Sequence, residues 1–260
     1  MALMRCDFFA ETLGLSTSMT VILPQQTSRQ IGLAGSAGGE RDEVPVLYLL
    51  HGLSDDDTIW TRRTSIERYA APLGIAVVMP QVHQSFYADE VHGMPFWTFL
   101  TEELPELVQG FFRTSTSRAD TFVAGLSMGG YGAMKWALRE PHRFAAAASL
   151  SGLLGLSDQH GGGDPGFRAL MDRAFGHSPI NASGNDVQHL LRTADPSTLP
   201  ALYVACGTED FLYGESLAFI DDARAAGVDL TTSIGDGDHD WEYWDRTIQD
   251  VLAWLPLRTD

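Results

Sequence analysis

The chain is poor in basic residues, and above all in lysine. Its 260 residues hold 17 lysines and arginines against 34 aspartates and glutamates, which gives a formal net charge of −17, and Lys135 is the one lysine. A surface this acidic repels the phosphates of nucleic acids and the anionic headgroups of membranes. We therefore expect no nucleic-acid partner and no membrane partner, and neutral or cationic small molecules fit better.

Cysteines and long apolar runs are scarce as well. The two cysteines, Cys6 and Cys206, lie in segments that are predicted to be buried strands, so no disulfide framework is expected. No window approaches the roughly 18 consecutive apolar residues of a membrane span. The opening "MALMRCDFFAETLG" has no apolar stretch of the secretory type. These absences predict a cytoplasmic protein.

Short apolar runs alternate with helical patterns along most of the chain. Strands are predicted at 44–50, 75–80, 121–126, 144–150 and 199–206, and helices at 64–73, 95–112, 131–140, 214–227 and 241–255. This alternation predicts an α/β fold with a mostly parallel sheet and helices on both faces. Residues 16–24 alternate like an antiparallel edge strand, and the glycine-rich segment after residue 31 is predicted to be flexible. The length and the 44% hydrophobic content suit a single domain over 1–260.

The segment 153–196 interrupts the alternation. It contains a glycine-rich turn and two short helical patterns between two strands, which is long for a plain connection. We interpret it as a small cap-like insertion over a site at the carboxyl edge of the sheet.

Ser127 lies in "GLSMG", which matches the G-x-S-x-G pattern. The pentapeptide is weak evidence alone, but the apolar run 121–126 precedes it and the helical 131–140 follows, as in a nucleophile elbow. The alternative is a glycine-rich turn that binds phosphate or nothing. The context favours Ser127 as a nucleophile.

A serine nucleophile needs a general base and an acid that orients it. In this arrangement the acid follows a later strand and the histidine comes after the next one. Asp210 directly follows a predicted strand, and His239 is the one histidine of eight that comes after Asp210. Glu209 is the rival for the acid role, although Asp210 is favoured.

The oxyanion hole is predicted from two backbone amides. Met128 follows the nucleophile at a helix N-terminus, and Leu53 lies in the loop after the strand 44–50. His51 is expected to hold the shape of that loop. The run Asp55, Asp56 and Asp57 lacks the glycine and the terminal glutamate of a calcium loop, so no metal and no cofactor are predicted.

With these residues in place, the sequence resembles the esterase D branch of the α/β-hydrolases. Within it, the chain is most similar to bacterial tributyrin esterases, which are related to S-formylglutathione hydrolases and mycolyltransferases. The resemblance runs through nearly the whole chain, in "CDFFAETLGLSTSMTVILP", "LLHGLSDDDTIW", "SFYAD", "FLTEELPELV", "AGLSMGGYGAMKWAL", "CGTEDFLY" and "GDHDWEYWDRTIQDVLAWL". The segments 32–39 and 160–166 depart from the pattern of that group.

The resemblance implies the α/β-hydrolase fold and a serine carboxylesterase for short acyl esters, with acetylated or feruloylated carbohydrates among the substrates. It implies the same roles for Ser127, Asp210, His239, Leu53 and Met128. One alternative is an S-formylglutathione hydrolase, and another is a non-catalytic binding protein on the same fold. A homo-oligomer is possible. Six aromatic residues near the expected site either border the pocket or pack in the core: Phe86, Tyr87, Phe96, Trp97, Phe211 and Tyr213.

Overall fold

The computed structural model describes residues 1–25, 27, 29, 31, 43–159 and 164–258. Within these ranges eight strands form one sheet: β1 (Ala2–Ala10), β2 (Leu15–Leu23), β3 (Val46–Leu50), β4 (Ala76–Pro80), β5 (Thr121–Leu126), β6 (Ala146–Leu150), β7 (Ala201–Gly207) and β8 (Leu230–Gly235). Their order is β1-β2-β4-β3-β5-β6-β7-β8. The strands from β3 to β8 are parallel, and β2 is antiparallel to both of its neighbours. The predicted mostly parallel sheet is confirmed.

The edge of the sheet differs from the prediction. The alternating segment 16–24 does form an antiparallel strand, β2, but β1 covers it and takes the edge position. Cys6 lies in β1 and is only partly buried, because alternate residues of this strand are exposed. The expectation that Cys6 sits in a buried strand is therefore wrong, whereas Cys206 in β7 is buried.

Helices cover both faces of the sheet, as predicted. Nine α-helices lie in the described ranges: α1 (Ile59–Arg63), α2 (Ile66–Ala70), α3 (Phe96–Thr98), α4 (Leu104–Phe112), α5 (Met128–Arg139), α6 (Pro165–Phe175), α7 (Val187–Thr193), α8 (Tyr213–Ala225) and α9 (Trp241–Trp254). A π-helical segment, Phe99–Glu103, joins α3 to α4. One apolar cluster packs under α4, α5 and α8, and a second packs under α1, α2 and α9.

Two helix boundaries differ from those that the sequence predicts. The helix expected at 131–140 begins at Met128, directly after Ser127. The helix expected at 64–73 ends at Ala70 and continues as a 3-10 turn. The segment 153–196 does contain two helices, α6 and α7, whereas residues 32–39 and 160–163 lie outside the described part of the chain.

All eight strands belong to one sheet, which supports our proposal of a single domain. Within the described residues, no helix is long and apolar enough to cross a membrane.

Candidate active site

Ser127 occupies the sharp turn between β5 and α5. Its φ of 53° and ψ of −118° lie outside the regions that L-residues normally adopt, and such strain is typical of a nucleophile elbow. Glycines allow the turn, because a Cβ on Gly125 would collide with the backbone of Gly129. A Cβ on Gly129 would lie 2.5 Å from the carbonyl oxygen of Leu50. Strand, serine and helix follow each other as the sequence predicts.

The structure brings Ser127, His239 and Asp210 together. His239 Nε2 lies 3.1 Å from Ser127 Oγ, and His239 Nδ1 lies 2.9 Å and 3.0 Å from the two carboxylate oxygens of Asp210. The Asp210 side chain is fully buried, and His239 is 15% exposed. Nδ1 therefore donates to the carboxylate, which leaves Nε2 free to accept the proton of the serine hydroxyl.

Glu209, the rival acid, points away from His239. Its carboxylate accepts hydrogen bonds from the N–H of Gly237 and from the Thr208 hydroxyl, each at 2.9 Å. These two bonds lower the pKa of Glu209. Glu209 therefore secures the loop that carries the histidine, and Asp210 is the carboxylate within reach of the imidazole.

The two amides predicted for the oxyanion hole belong to segments that adjoin Ser127. Met128 is the first residue of α5, where an N–H has no acceptor inside the helix. On the other side, a Cβ placed on Gly52 would lie 3.7 Å from the Cβ of Ser127, so the loop after β3 passes close to the nucleophile. Leu53, the second predicted donor, directly follows Gly52.

Comparison with known proteins places this geometry in a family. A family model described as "Putative esterase" matches residues 15–255. The chain belongs to the putative esterase family. The acetyl esterase of Caldicellulosiruptor saccharolyticus is 26% identical, and the match covers 100% of both sequences.

Two solved structures extend the comparison. The fluorophosphonate-binding serine hydrolase F of Staphylococcus aureus, in a substrate-bound state, superposes with a TM-score of 0.87 at 34% identity, over 100% of this chain and 99% of that one. An S-formylglutathione hydrolase from Staphylococcus aureus gives 0.82 at 34% identity, over 98% of each chain. This protein is therefore a serine esterase with the α/β-hydrolase fold, and the alternative of a non-catalytic binding protein is not supported.

The esterase surrounds Asp210 with a network that sequence reasoning missed. Ser151 follows β6 with a φ of 48°, is fully buried and hydrogen-bonds the Asp210 carboxylate. Trp244 of α9 donates from Nε1 to Ser151 Oγ over 3.1 Å, and its ring stands edge-on to His239 at 4.9 Å. No local sequence pattern predicts the roles of Ser151 and Trp244, because the order of the strands and the packing of α9 bring them together.

This network decides the charge of the carboxyl group. Burial raises the pKa of Asp210, but the hydrogen bonds from His239, from Ser151 and from the N–H of Leu212 more than offset it. The net effect is a pKa below the ordinary value of an aspartic acid. Asp210 is therefore ionised at neutral pH and can stabilise an imidazolium on His239.

His51 supports the loop of the predicted oxyanion hole, as expected. Burial lowers its pKa, so the ring is neutral. Nδ1 donates to the carbonyl of Gly52 over 2.7 Å, and Nε2 accepts from the N–H of Val82 over 3.2 Å. The hydroxyl of Tyr87 donates to the carbonyl of His51 over 2.9 Å. The histidine thus fixes the peptide that precedes Leu53.

Tyr87 belongs to the loop 81–95, which is anchored on α5. Its ring lies over Gly132, where a Cβ would come within 2.5 Å of a ring carbon. Lys135 Nζ donates to the carbonyl of Tyr87 over 2.7 Å and lies 4.5 Å from the centre of the Trp97 ring. The one lysine of the chain therefore holds a loop near the site, and its burial lowers its pKa well below the usual range.

The other side of the loop 81–95 is attached to α6. Arg173 forms a 2.8 Å ion pair with Glu90 and donates to the carbonyl of Gln84. The ring of Phe86 packs against Phe167 and Phe175 of the same helix. The two segments expected to shape the pocket, 81–95 and 153–196, are therefore in direct contact.

Two of the three consecutive aspartates, Asp56 and Asp57, form hydrogen bonds that shape the loop after β3. Asp57 is buried and accepts from the hydroxyls of Ser18 and Thr20 in β2. Asp56 accepts from the N–H and the hydroxyl of Thr58. The bonds of Asp57 tie the loop after β3 to the antiparallel part of the sheet, and those of Asp56 hold the turn before α1.

The six aromatic residues differ in burial, and Tyr213 is half-buried. Four of the six are buried, so the core interpretation holds for them: Phe86, Tyr87, Phe96 and Trp97. Phe211 is 74% exposed, and its ring lies 4.4 Å from that of His239. An apolar group bound next to the histidine would meet this ring.

Proposed function

We propose that the protein hydrolyses short-chain acyl esters through an acyl-enzyme, with Ser127 as nucleophile, His239 as base and Asp210 as its partner. The observation that carries the proposal is the continuous hydrogen-bonded line from the Asp210 carboxylate through both nitrogens of His239 to Ser127 Oγ. This line meets a serine on a strained strand-to-helix turn, which is the geometry that acyl transfer requires.

In the proposed catalytic cycle, His239 carries the proton between Ser127, the leaving alcohol and water. His239 Nε2 takes the proton of Ser127 as Oγ attacks the ester carbonyl, and the amides of Leu53 and Met128 stabilise the oxyanion. The alcohol leaves with the proton from His239. A water molecule, deprotonated by the same nitrogen, then hydrolyses the acyl-serine. No cofactor and no metal takes part in the steps that we propose.

The proposed substrates are acetyl or similarly short esters of uncharged alcohols, such as acylated carbohydrates. Full-length similarity to an acetyl esterase supports the short acyl group. The net charge of −17 disfavours anionic substrates. The segment 153–196, which we propose to be a small cap, and the loop 81–95 form the wall that would select the alcohol.

S-formylglutathione hydrolysis is the second candidate. The similarity to a solved S-formylglutathione hydrolase at 34% identity favours it, and a formyl thioester also carries a short acyl group. Glutathione is anionic, however, and would have to approach an acidic protein.

The two candidates are separated by comparing kcat/KM for p-nitrophenyl acetate, butyrate and octanoate, for methyl ferulate and for S-formylglutathione. We expect acetate to exceed octanoate by about tenfold or more, since each extra methylene in a closed pocket changes binding by about 1–3 kcal/mol. We expect S-formylglutathione to be a poorer substrate than the acetyl ester. A preference for octanoate would contradict the proposed substrate class, and a large preference for S-formylglutathione would establish the second candidate. Ser127→Ala should lose every one of these activities.

A further inference from the structure

The strand β1 leaves one edge of the sheet open. It is nine residues long and pairs on one side with β2, in an unbroken register from Ala2 opposite Leu23 to Ala10 opposite Leu15. Among the described strands it has no second neighbour. Soluble proteins usually protect such an edge with proline, charged side chains, a bulge or a short strand. β1 has no proline and no bulge, and its two exposed charges, Arg5 and Asp7, are of opposite sign, so a second copy can complement them. No described strand pairs with its outer N–H and C=O groups.

The exposed face of β1 has a self-complementary order. The exposed residues alternate along the strand, and they are Leu3, Arg5, Asp7 and Phe9. Apolar residues stand at the two ends, 51% and 53% exposed, and the opposite charges stand between them. Reading the strand backwards exchanges Leu3 with Phe9 and Arg5 with Asp7, with Cys6 at the centre.

We propose that two copies of this chain associate through β1, antiparallel and around a two-fold axis at Cys6, so that the two sheets become one. In this register Arg5 of each copy lies opposite Asp7 of the other, and Leu3 lies opposite Phe9. Directly opposed side chains in an antiparallel pair have their Cβ atoms about 4.5–5.5 Å apart, close enough for ion pairing and apolar contact. All nine residues of each strand are paired.

The neighbouring registers of the β1–β1 pair are less favourable in charge and in length. An axis at Arg5 places the two Arg5 guanidinium groups opposite each other, and an axis at Asp7 does the same with two carboxylates. Both also shorten the paired segment. Since like charges in direct opposition are destabilising in a sheet, charge selects the register centred on Cys6.

A cavity beside Leu3 fits the same arrangement. Its volume is about 400 Å³, and it is lined by Met1, Leu3, Thr61, Thr64, Ser65, Ile66, Glu67, Arg68 and Ala71. Phe9 of the second copy would stand opposite Leu3, at the mouth of this cavity. An exposed phenyl ring on each copy thus meets the apolar side of a recess on the other, formed by Met1, Leu3 and Ile66, and the two contacts are equivalent, as a two-fold interface requires.

The test is a charge exchange followed by sedimentation equilibrium at about 0.15 M salt. We expect the wild type to have twice the mass of the 28.4 kDa chain. Arg5→Asp alone, or Asp7→Arg alone, opposes like charges at two places, and we expect the dissociation constant of the dimer to rise about a hundredfold. The double variant Arg5→Asp with Asp7→Arg restores opposite charges and should restore the dimer. Asp229→Arg, an exposed change beside the other edge of the sheet, is the matched control and should remain a dimer.

Rates of p-nitrophenyl acetate hydrolysis by the variants report their folding, because three strands lie between β1 and β5, which carries the serine. A monomeric wild type, or a dimer that Arg5→Asp does not weaken in an active variant, would overturn the proposal.

Cys6 gives a second readout. Its two copies face each other at the axis, so a short bismaleimide should link the wild type into a dimer on a denaturing gel and leave Cys6→Ser unlinked. A dimer that links equally well in Cys6→Ser would contradict the register.

Discussion

Asp210 and Glu209 are adjacent carboxylates with different tasks. The backbone after β7 directs Asp210 inward, to His239, Ser151 and the N–H of Leu212, and it leaves Glu209 at the surface on Gly237. A buried carboxylate with three donors is held in one orientation, and this orientation fixes the tautomer of the histidine.

Replacing these two residues distinguishes their roles. Asp210→Asn should lower kcat for p-nitrophenyl acetate about a thousandfold or more, because the amide no longer stabilises the imidazolium. Glu209→Gln should keep kcat within a few fold, since its carboxylate holds only an exposed turn. Equal losses in the two variants would contradict the assignment of Asp210.

Ser151 is a positioning residue in this account. Ser151→Ala removes a hydrogen bond to the ionised carboxylate and leaves Trp244 Nε1 without its acceptor, so kcat should fall about tenfold with little change in KM. Ser149→Ala is the matched control, because the Ser149 hydroxyl is buried and has no hydrogen-bond partner among the described residues. Steady-state kinetics of both variants check the prediction, which fails if the two lose kcat alike.

At the scale of elements, α5 connects the nucleophile to the loop 81–95. The helix begins with the Met128 amide at one end of the site, and one turn later it receives the ring of Tyr87 over Gly132. Through its hydroxyl Tyr87 holds His51, which holds the peptide before Leu53. Packing of the loop on the helix and the shape of the predicted oxyanion hole are therefore linked.

Two alanine substitutions in helices test this link. Gly132→Ala places a methyl group against the Tyr87 ring and should cost about 1–3 kcal/mol in the free energy of unfolding, with a fall in kcat. Gly110→Ala in α4 meets no atom within 4 Å and should stabilise the fold by about 0.5–1 kcal/mol at unchanged kcat. Urea unfolding and esterase assays measure both. A neutral Gly132→Ala would show that the loop is not set by this contact.

Lys135, also in α5, should make the free energy of unfolding depend on pH. Its pKa is lowered in the folded state, so between that pKa and the value of about 10.4 in the unfolded chain the unfolded state binds more protons. The free energy of unfolding therefore rises with pH across this interval. We expect the wild type to gain stability relative to Lys135→Met as the pH rises toward about 10, by up to about 1.4 kcal/mol per pH unit. A constant difference between the two proteins in urea unfolding would contradict a lowered pKa.

In the whole molecule, the features that could be predicted from the sequence are those that depend on local residue patterns. The parallel strands are continuous apolar runs, and Ser127, Asp210 and His239 follow strands in a fixed order, so both could be inferred before the structure. Ser151 and Trp244 could not, because they meet only after β6, β7 and α9 are packed side by side. The edge position of β1 was missed for a similar reason, since it depends on which strand pairs outside β2.

The net negative charge of the chain affects both the choice of substrate and association between copies. A net charge of −17 favours neutral esters and opposes association between copies, so a dimer requires specific complementarity of the kind seen along β1.

The central claim is that Ser127 is the nucleophile, and labelling with a fluorophosphonate probe tests it most directly. We expect one adduct per chain, located on Ser127 by peptide mass spectrometry, with complete loss of p-nitrophenyl acetate hydrolysis. Ser127→Ala should be folded, unlabelled and inactive. An adduct on another residue, or a Ser127→Ala protein that hydrolyses the ester at the wild-type rate, would contradict it.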